Sequence, residues 1–172
     1  MDLGCGLGDF AGVLAETGRE VVGCDVAEAA LRLARSRHPG LEFVLSRGDE
    51  LPFDDDVFDV VWMGEVLEHV QDGLGLLAEV QRVLPPGGRL LISTPDHGAL
   101  RRLWLGLSRR AFERNFDPRS DHVRFFTSHS LRALLGAADF DVAQIASKDG
   151  VLLARGISGQ ETASPATSAR HT

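Results

Sequence analysis

The sequence predicts an α/β protein whose mostly parallel sheet is doubly wound, with helices on both faces. Short β-like apolar runs alternate with longer runs of helical period along most of the chain. The last two β-like runs are joined by only a few residues around 148–150, too few to hold a crossover helix. They therefore predict an antiparallel hairpin at the carboxyl-terminal end of the sheet.

The individual elements follow from these periods and from the residues that interrupt them. The strand candidates are 20–24, 42–45, 58–63, 89–94, 140–146 and 151–155. The helix candidates are 9–17, 27–37, 74–84 and 128–138. Helix-breaking residues at Gly18, 38–40 and 85–88 end the first three helices, and Thr127 or Ser128 caps the fourth.

Composition and charge restrict the class of function. The chain has 172 residues, of which 44% are apolar and 25% charged, as expected for one ordinary globular domain. Its formal net charge of −7 argues against broad electrostatic binding to nucleic acid. No apolar run approaches the roughly 20 residues that span a bilayer. With two cysteines and no disulfide pattern, we expect a cytoplasmic protein, and the oligomeric state stays open.

The sequence also predicts the limits of the domain. We expect one domain over 1–155, with an insertion at 98–124 that selects the substrate. Residues 156–172 lack apolar periodicity and are rich in small and polar residues, so we expect a disordered tail. Only Met1, Asp2 and Leu3 precede the first glycine, whereas a strand usually has about 5–6 residues. We therefore expect a truncated first strand.

A glycine-rich turn provides the first functional signal. Residues 2–8 read DLGCGLG and lead from a strand into a helix, so a ligand can approach backbone N–H groups without meeting a Cβ atom. A dinucleotide-binding loop would carry a third glycine where this chain has Asp9, whose charge would repel a diphosphate. An acidic loop instead suits a ligand with a positive amino group and a sulfonium.

A carboxylate at the end of the next strand supports a nucleoside ligand. The run 21–25 is an apolar strand that ends in Asp25, 17 residues after Gly8. At that position a carboxylate accepts hydrogen bonds from both ribose hydroxyls. The structural alternative is that Asp25 only caps the helix that starts near Ala27.

With these residues, the chain resembles the class I S-adenosylmethionine (SAM) dependent methyltransferases of the type 11 and type 23 groups. The resemblance spans about residues 1–155. Further motifs that match in order and spacing are 51–53, 58–61, 65–70, 84–88 and 122–126. It implies a Rossmann-like, seven-stranded sheet, SAM as cofactor, and methyl transfer to a small-molecule acceptor.

The resemblance also implies a set of cofactor contacts. These are Asp2, Gly4, Gly6, Gly8, Asp25, Asp49, Leu51 and Gly64. For the adenine amine, the aligned position holds Arg47, and we prefer Asp49 two residues later because a carboxylate accepts a hydrogen bond and a guanidinium does not.

Candidate catalytic residues follow the fourth strand in Glu65-Val66-Leu67-Glu68-His69. Glu65, Glu68 and His69 have helical spacing, so we expect them on one face. His69, as a direct base, and Glu65 are the catalytic candidates. Together with His122 they form an alternative metal site, an arrangement that resembles the metal-dependent small-RNA 2′-O-methyltransferases. The stronger expectation is that no metal binds and that the motif shapes the pocket. His97 is a weaker base candidate.

The insertion contains an apolar series at helical spacing. Its members are Leu100, Leu103, Trp104, Leu107, Ala111 and Phe112. Four arginines lie among them: Arg101, Arg102, Arg109 and Arg110. The leading interpretation is a lid helix packed on the core. The alternatives are a lid over an apolar acceptor, arginines that hold an acidic acceptor, and membrane-surface contact through 98–116.

Three functions remain open. The first is methyl transfer from SAM, with oxygen favoured over nitrogen or carbon as the acceptor atom. The second is a truncated, catalytically impaired protein of the same fold that binds SAM or a partner. The third, an NAD(P)-binding protein, is disfavoured by Asp9 and by the terminal hairpin.

Overall fold

The computed structural model describes residues 1–48, 50–117 and 119–159, apart from the side chains of Leu100 and Arg102. The strands are β1 (Asp2–Leu3), β2 (Val22–Asp25), β3 (Glu42–Leu45), β4 (Val60–Gly64), β5 (Arg89–Pro95), β6 (Phe140–Lys148) and β7 (Val151–Ser158). The helices are α1 (Asp9–Glu16), α2 (Glu28–Arg37), α3 (Gly73–Val83), α4 (Ala99–Leu107), α5 (Arg109–Asn115) and α6 (Ser128–Ala137). A 3-10 turn covers Leu67–His69.

The strands of the described residues form one seven-stranded sheet, as predicted. Its order is β3-β2-β1-β4-β5-β7-β6, with β1 to β5 parallel and β7 antiparallel to both of its neighbours. The chain builds outward from β1 to β3 and then returns to place β4 on the other side of β1. In such sheets ligands bind at the carboxyl ends of the strands, where the strand order reverses. That point lies between β1 and β4.

The two residues of β1 pair on both sides. Asp2 lies opposite Gly23 and Trp62, and the Met1 amino group donates to the Val60 carbonyl at 2.8 Å. Leu3 is 4% exposed and packs with Met63 in the larger of two apolar clusters. Even a two-residue strand is therefore tied into the centre of the sheet and positions the turn that follows it.

Two features of the second half differ from the sequence prediction. The sequence predicts a tail from Gly156, but β7 continues to Ser158 because Gly156 and Ile157 still pair with β5 and β6. Residues 160–172 lie outside the described part of the chain. The predicted single lid helix is two helices, because the Ser108 hydroxyl accepts from the Ala111 N–H and starts α5.

The lid also exposes much of the face that the sequence predicts to pack on the core. Leu103, Trp104 and Leu107 are 61%, 58% and 80% exposed, whereas Leu105 is buried. Leu105 and Ala111 therefore anchor the lid, whereas Leu103, Trp104, Leu107 and Phe112 are exposed. Among the described residues, no helix is both long and apolar enough to cross a membrane.

Candidate active site

The glycine turn between β1 and α1 forms one side of the crevice. Gly4, Gly6 and Gly8 all have positive φ angles of 78°, 52° and 78°, in the left-handed region that favours glycine. A Cβ atom at Gly4 would overlap the Val66 side chain, and one at Gly8 would lie 2.8 Å from the Phe43 ring. At Gly6 it would meet nothing within 4 Å. Packing explains the outer two glycines, and the middle one faces open space.

Asp25 joins this turn to the start of α2. Its Oδ2 accepts from the Gly6 N–H and its Oδ1 from the Ala27 N–H, both at 2.8 Å. The two interpretations of Asp25 are thus compatible, because the carboxylate orders the helix start and the loop together. Each oxygen keeps a second lone pair for a ligand hydroxyl.

Asp2 contributes a buried carboxylate beneath the turn. It is 2% exposed, and its Oδ2 has no hydrogen-bond partner. Burial raises the pKa of Asp2 to about 6, opposed by the Met1 amino group and by a hydrogen bond from the Ala11 backbone. Asp9, in contrast, is exposed and forms a 3.1 Å ion pair with Arg37.

The segment after β3 forms the other side of the crevice. A cavity of about 330 Å³ opens beside it, lined by Leu45, Ser46, Arg47, Glu50, Leu51 and Pro52. Asp49 lies outside the described residues. A larger cavity, about 740 Å³, lies at the opposite edge of the sheet between the amino ends of β2 and β4, and neither the glycine turn nor Asp25 lines it.

Two residues that the sequence analysis missed hold this segment. The Leu51 N–H donates to Glu79 Oε2 at 2.8 Å, and the Leu51 carbonyl accepts from Arg82 Nη2 at 2.9 Å. Arg82 also forms a 2.8 Å ion pair with Glu79 and lowers the pKa of that carboxyl. Leu51 is thus fixed through its backbone and buries its side chain. The only sign of this role in the sequence is that Glu79 and Arg82 carry opposite charges three residues apart on α3.

The chain leaves β4 in a strained turn. Gly64 pairs with Ser93, and a Cβ atom there would lie 2.9 Å from the Trp62 ring. Glu65 has a φ angle of 53°, which is uncommon for a residue with a side chain and occurs often at functional sites. Its Oε1 accepts from the Ser93 hydroxyl at 2.9 Å.

The predicted helical face for Glu65, Glu68 and His69 is wrong. Glu65, whose φ angle is positive, follows the end of β4, and the short 3-10 turn starts only at Leu67. Glu68 and His69 instead meet His122, and one ligand atom from each lies within 4.8 Å of the others. Glu65 is not part of this group.

Glu68 is the buried member of the group. It is 1% exposed, its Oε2 accepts from the Thr94 hydroxyl at 2.9 Å, and its Oε1 has no partner. Burial raises the pKa of Glu68, against the effect of its hydrogen bonds. His69 is exposed, and its Nδ1 lies 3.2 Å from the Asp121 carbonyl.

His97 follows β5 beneath the lid. It is buried, its Nδ1 lies 3.3 Å from the Pro95 carbonyl, and its side chain interacts with that of Asn115. Burial, and then the charge of Arg101, lower the pKa of His97, so the ring is neutral at neutral pH. Asn115 of α5, which the sequence analysis missed, accepts from Arg101 at 2.9 Å.

Unpaired buried atoms concentrate at this edge of the sheet. Among the described residues, six buried side-chain atoms have no hydrogen-bond partner. Three of them, on Asp2, Glu68 and Asp96, lie at or just beyond the carboxyl ends of β1, β4 and β5, and two more are on His97 and Asn115, whose side chains interact with each other. Because native proteins leave few such atoms, the concentration marks this edge as a place for a polar ligand.

Comparison with known proteins identifies the family. The family model described as a methyltransferase domain, type 11, matches residues 1–92. A demethylmenaquinone methyltransferase of Clavibacter sepedonicus is 41% identical over 108 residues, which cover 59% of this chain and 44% of that protein. A malonyl-[acyl-carrier protein] O-methyltransferase of Salmonella typhimurium is 32% identical over 128 residues, 72% of this chain and 51% of that protein. The chain spans about half the length of these relatives, or less.

A solved structure agrees in fold over a longer span. The SAM-dependent methyltransferase of Methanosarcina mazei is 27% identical, with a TM-score of 0.72 over 93% of this chain and 92% of that one.

The site residues fit SAM, which carries positive charge on its sulfonium and amino group. The buried carboxylate of Asp2 has an unpaired oxygen, Asp25 has acceptor capacity left, and the approach at Gly6 is open. SAM supplies an activated methyl group when bound. The chain belongs to the type 11 family of methyltransferase domains, and its cofactor is S-adenosylmethionine.

Proposed function

We propose that this protein methylates a hydroxyl oxygen of an apolar small molecule. The observation that carries the proposal is that proton-accepting side chains lie at the carboxyl end of β4, next to the glycine turn. A hydroxyl is a poor nucleophile until it loses its proton, so methylation at oxygen needs such groups. Glu65, Glu68 and His69 supply them. The printed name of the Salmonella relative, an O-methyltransferase, supports the same acceptor atom.

The cofactor contacts in this proposal follow the geometry of the turn. Asp25 accepts from the ribose hydroxyls, and Asp2 faces the positive amino-acid end of SAM. Gly6 lets the backbone approach the cofactor, and Gly4 and Gly8 shape the turn. The adenine occupies the cavity beside Leu51. For its amine we propose Asp49, which lies outside the described residues. Gly64 borders the crevice at the end of β4.

His69 is the proposed base and Glu65 its support. An Nδ1–H of His69 that donates to the Asp121 carbonyl leaves Nε2 free to accept a proton from the acceptor hydroxyl. Glu65 is exposed and held by Ser93, so it can orient the same hydroxyl. His97 is less suited because it is buried.

From the lid we infer that the acceptor is apolar and is taken from an anionic lipid surface. Residues 98–116 hold five arginines and one acidic residue, Glu113, in a chain with a formal net charge of −7. The exposed Leu103, Trp104 and Leu107 lie in this basic segment. Aromatic and aliphatic side chains beside arginines suit the interface of a charged bilayer. The Clavibacter relative is named for demethylmenaquinone, an apolar acceptor.

Location is inferred from the cysteines. Cys5 and Cys24 are both free and buried, and burial raises the pKa of each thiol to about 12. We infer a reducing compartment, the cytoplasm, because nothing in these thiols requires oxidation.

The test compares two glycines that differ only in their surroundings. Gly6 and Gly18 both have positive φ, and a Cβ atom added to either would meet no heavy atom within 4 Å, but only Gly6 lies in the cofactor turn. Gly6→Ala and Gly18→Ala should each cost about 1 kcal/mol of stability. Only Gly6→Ala should weaken SAM binding in calorimetric titration. Equal SAM affinity in both variants, or tighter binding of NAD than of SAM, would contradict the proposal.

The acceptor atom needs a separate measurement. We expect S-adenosylhomocysteine and a methyl ether when the protein is incubated with SAM and hydroxyaryl acceptors that carry alkyl chains. Matched amine and thiol acceptors are the controls, and mass spectrometry identifies the product. SAM binding without turnover on any hydroxyl acceptor would favour the impaired binding protein.

A further inference from the structure

The group formed by Glu68, His69 and His122 brings together two distant parts of the chain. Glu68 and His69 belong to the 3-10 turn after β4, and His122 lies in the segment before α6. The Glu68 carbonyl accepts from the Val123 and Arg124 N–H groups at 2.8 and 3.1 Å. The backbone therefore fixes the His122 segment against the turn, and the closeness of the three donors does not depend on long side chains.

The buried carboxylate is the second observation. Glu68 is 1% exposed, and its Oε1 lacks a partner although Oε2 is held by Thr94. Arg124 is the guanidinium whose backbone is bound to Glu68, but its Nε donates to the Val70 carbonyl and its Nη2 to the Gln71 carbonyl. A buried carboxylate without a compensating cation is unfavourable, so this site is short of positive charge.

The two histidine rings lie in edge-to-face contact. Their ring centroids are 4.7 Å apart and the rings are nearly perpendicular, at 78°. His69 Nδ1 lies beside the Asp121 carbonyl at 3.2 Å and the Asp121 carboxylate at 3.5 Å. Metal-ligating histidines typically use their second nitrogen in this way, donating to a carbonyl or carboxylate that orients the ring.

We propose that Glu68, His69 and His122 bind a divalent transition-metal cation. Two imidazoles and one carboxylate form a ligand set that binds zinc in catalytic sites and iron(II) in open sites, and both leave coordination positions free. The hydroxyl oxygen of the acceptor binds the cation at such a free position. When the cation is bound, His69 is a ligand and no longer the base: the charge of the cation lowers the pKa of that hydroxyl, and the proton passes to solvent water.

This inference rests on the proposed function for the identity of the acceptor, but the cation site does not need it. Glu65 stands outside the group and is bound by Ser93, so it is not a ligand in this arrangement.

The experiment uses Co²⁺ as the probe, because its visible absorption changes with the number and geometry of its ligands. Chelator-treated protein is titrated with Co²⁺, and Zn²⁺ is then added in competition. We expect one Co²⁺ per chain and displacement by Zn²⁺. His122→Ala and Glu68→Gln should each weaken Co²⁺ binding about tenfold or more. His129→Ala, an exposed histidine in α6, is the matched control and should leave binding unchanged.

Folding of each variant is checked by thermal unfolding. Glu68→Gln removes a buried charge and should remain folded, and His122 is only partly buried, so at least one ligand variant stays interpretable. SAM titration of the chelator-treated chain separates the two proposals, because SAM should still bind without the cation. Absence of Co²⁺ binding, or equal binding in His122→Ala and His129→Ala, would overturn the metal site. Loss of SAM binding alone would overturn only the proposed function.

Discussion

The buried carboxylate of Asp2 predicts a trade-off between folding stability and cofactor binding. Burial raises its pKa from the ordinary 3.8 to about 6. Because each pKa unit corresponds to about 1.4 kcal/mol, keeping Asp2 ionised at neutral pH costs the folded chain about 3 kcal/mol. This carboxylate is 2% exposed, so little of that cost is relieved by solvent.

The pH dependence has a definite sign. A carboxyl group whose folded pKa is raised contributes stability that is fully present below pH 3.8 and lost as the pH rises through about 6. Asp2→Asn cannot ionise, but it keeps an oxygen that accepts from the Ala11 backbone. In urea unfolding, the variant should match the wild type near pH 4 and exceed it by up to about 3 kcal/mol near pH 8.

SAM binding should change in the opposite direction. Without the Asp2 charge, the variant should bind SAM at least about tenfold more weakly, since a hydrogen bond to a charged group contributes about 1.5–3 kcal/mol. Asp9→Asn is the control, because Asp9 is exposed and its pair with Arg37 is worth about 1 kcal/mol or less. An Asp2→Asn variant that is no more stable than wild type near pH 8, or that binds SAM equally well, would refute this trade-off.

Three further predictions concern packing, capping and the lid. Gly4→Ala should lower the free energy of unfolding by about 2–5 kcal/mol, through left-handed strain and overlap with Val66, and a smaller loss in urea unfolding would argue against that overlap. Thr127→Ala should cost about 1 kcal/mol, because the hydroxyl accepts from the Ser130 N–H, whereas an unchanged midpoint would mean that the cap contributes nothing. Trp104 fluorescence, in a variant without the other tryptophan, should shift to the blue with anionic vesicles and not with neutral ones; no difference between them would contradict docking of the lid on an anionic surface.

Local patterns explain why the sheet and the cofactor turn were predictable. The order of apolar runs fixes parallel and antiparallel pairing through the length of each connection, and 148–150 is short enough to leave only a hairpin. Positive φ angles were also predictable at Gly4, Gly6 and Gly8, because glycine adopts them without steric cost. These signals act within a few residues, so one sequence is sufficient to read them.

The unpredicted parts depend on contacts across the fold. Helical spacing grouped Glu65 with Glu68, but the left-handed conformation of Glu65 breaks the period. In the lid, periodicity found the apolar series, yet only tertiary packing decides that Leu105 is buried and that Trp104 is exposed. Periodicity states which side chains share a face and does not state what that face contacts.

The same physical cost connects the two carboxylates of this site. Asp2 and Glu68 lie near the carboxyl ends of the two central strands, each is at most 2% exposed, and each keeps one oxygen without a partner. Burial raises the pKa of both, so each destabilises the fold when ionised. A core position could hold a leucine instead at lower cost. Retaining an acid is therefore consistent with a cationic ligand at each site, the cofactor above Asp2 and a metal ion beside Glu68. If both carboxylates serve such ligands, SAM and a divalent cation should raise the melting temperature additively, because the two charges are neutralised independently.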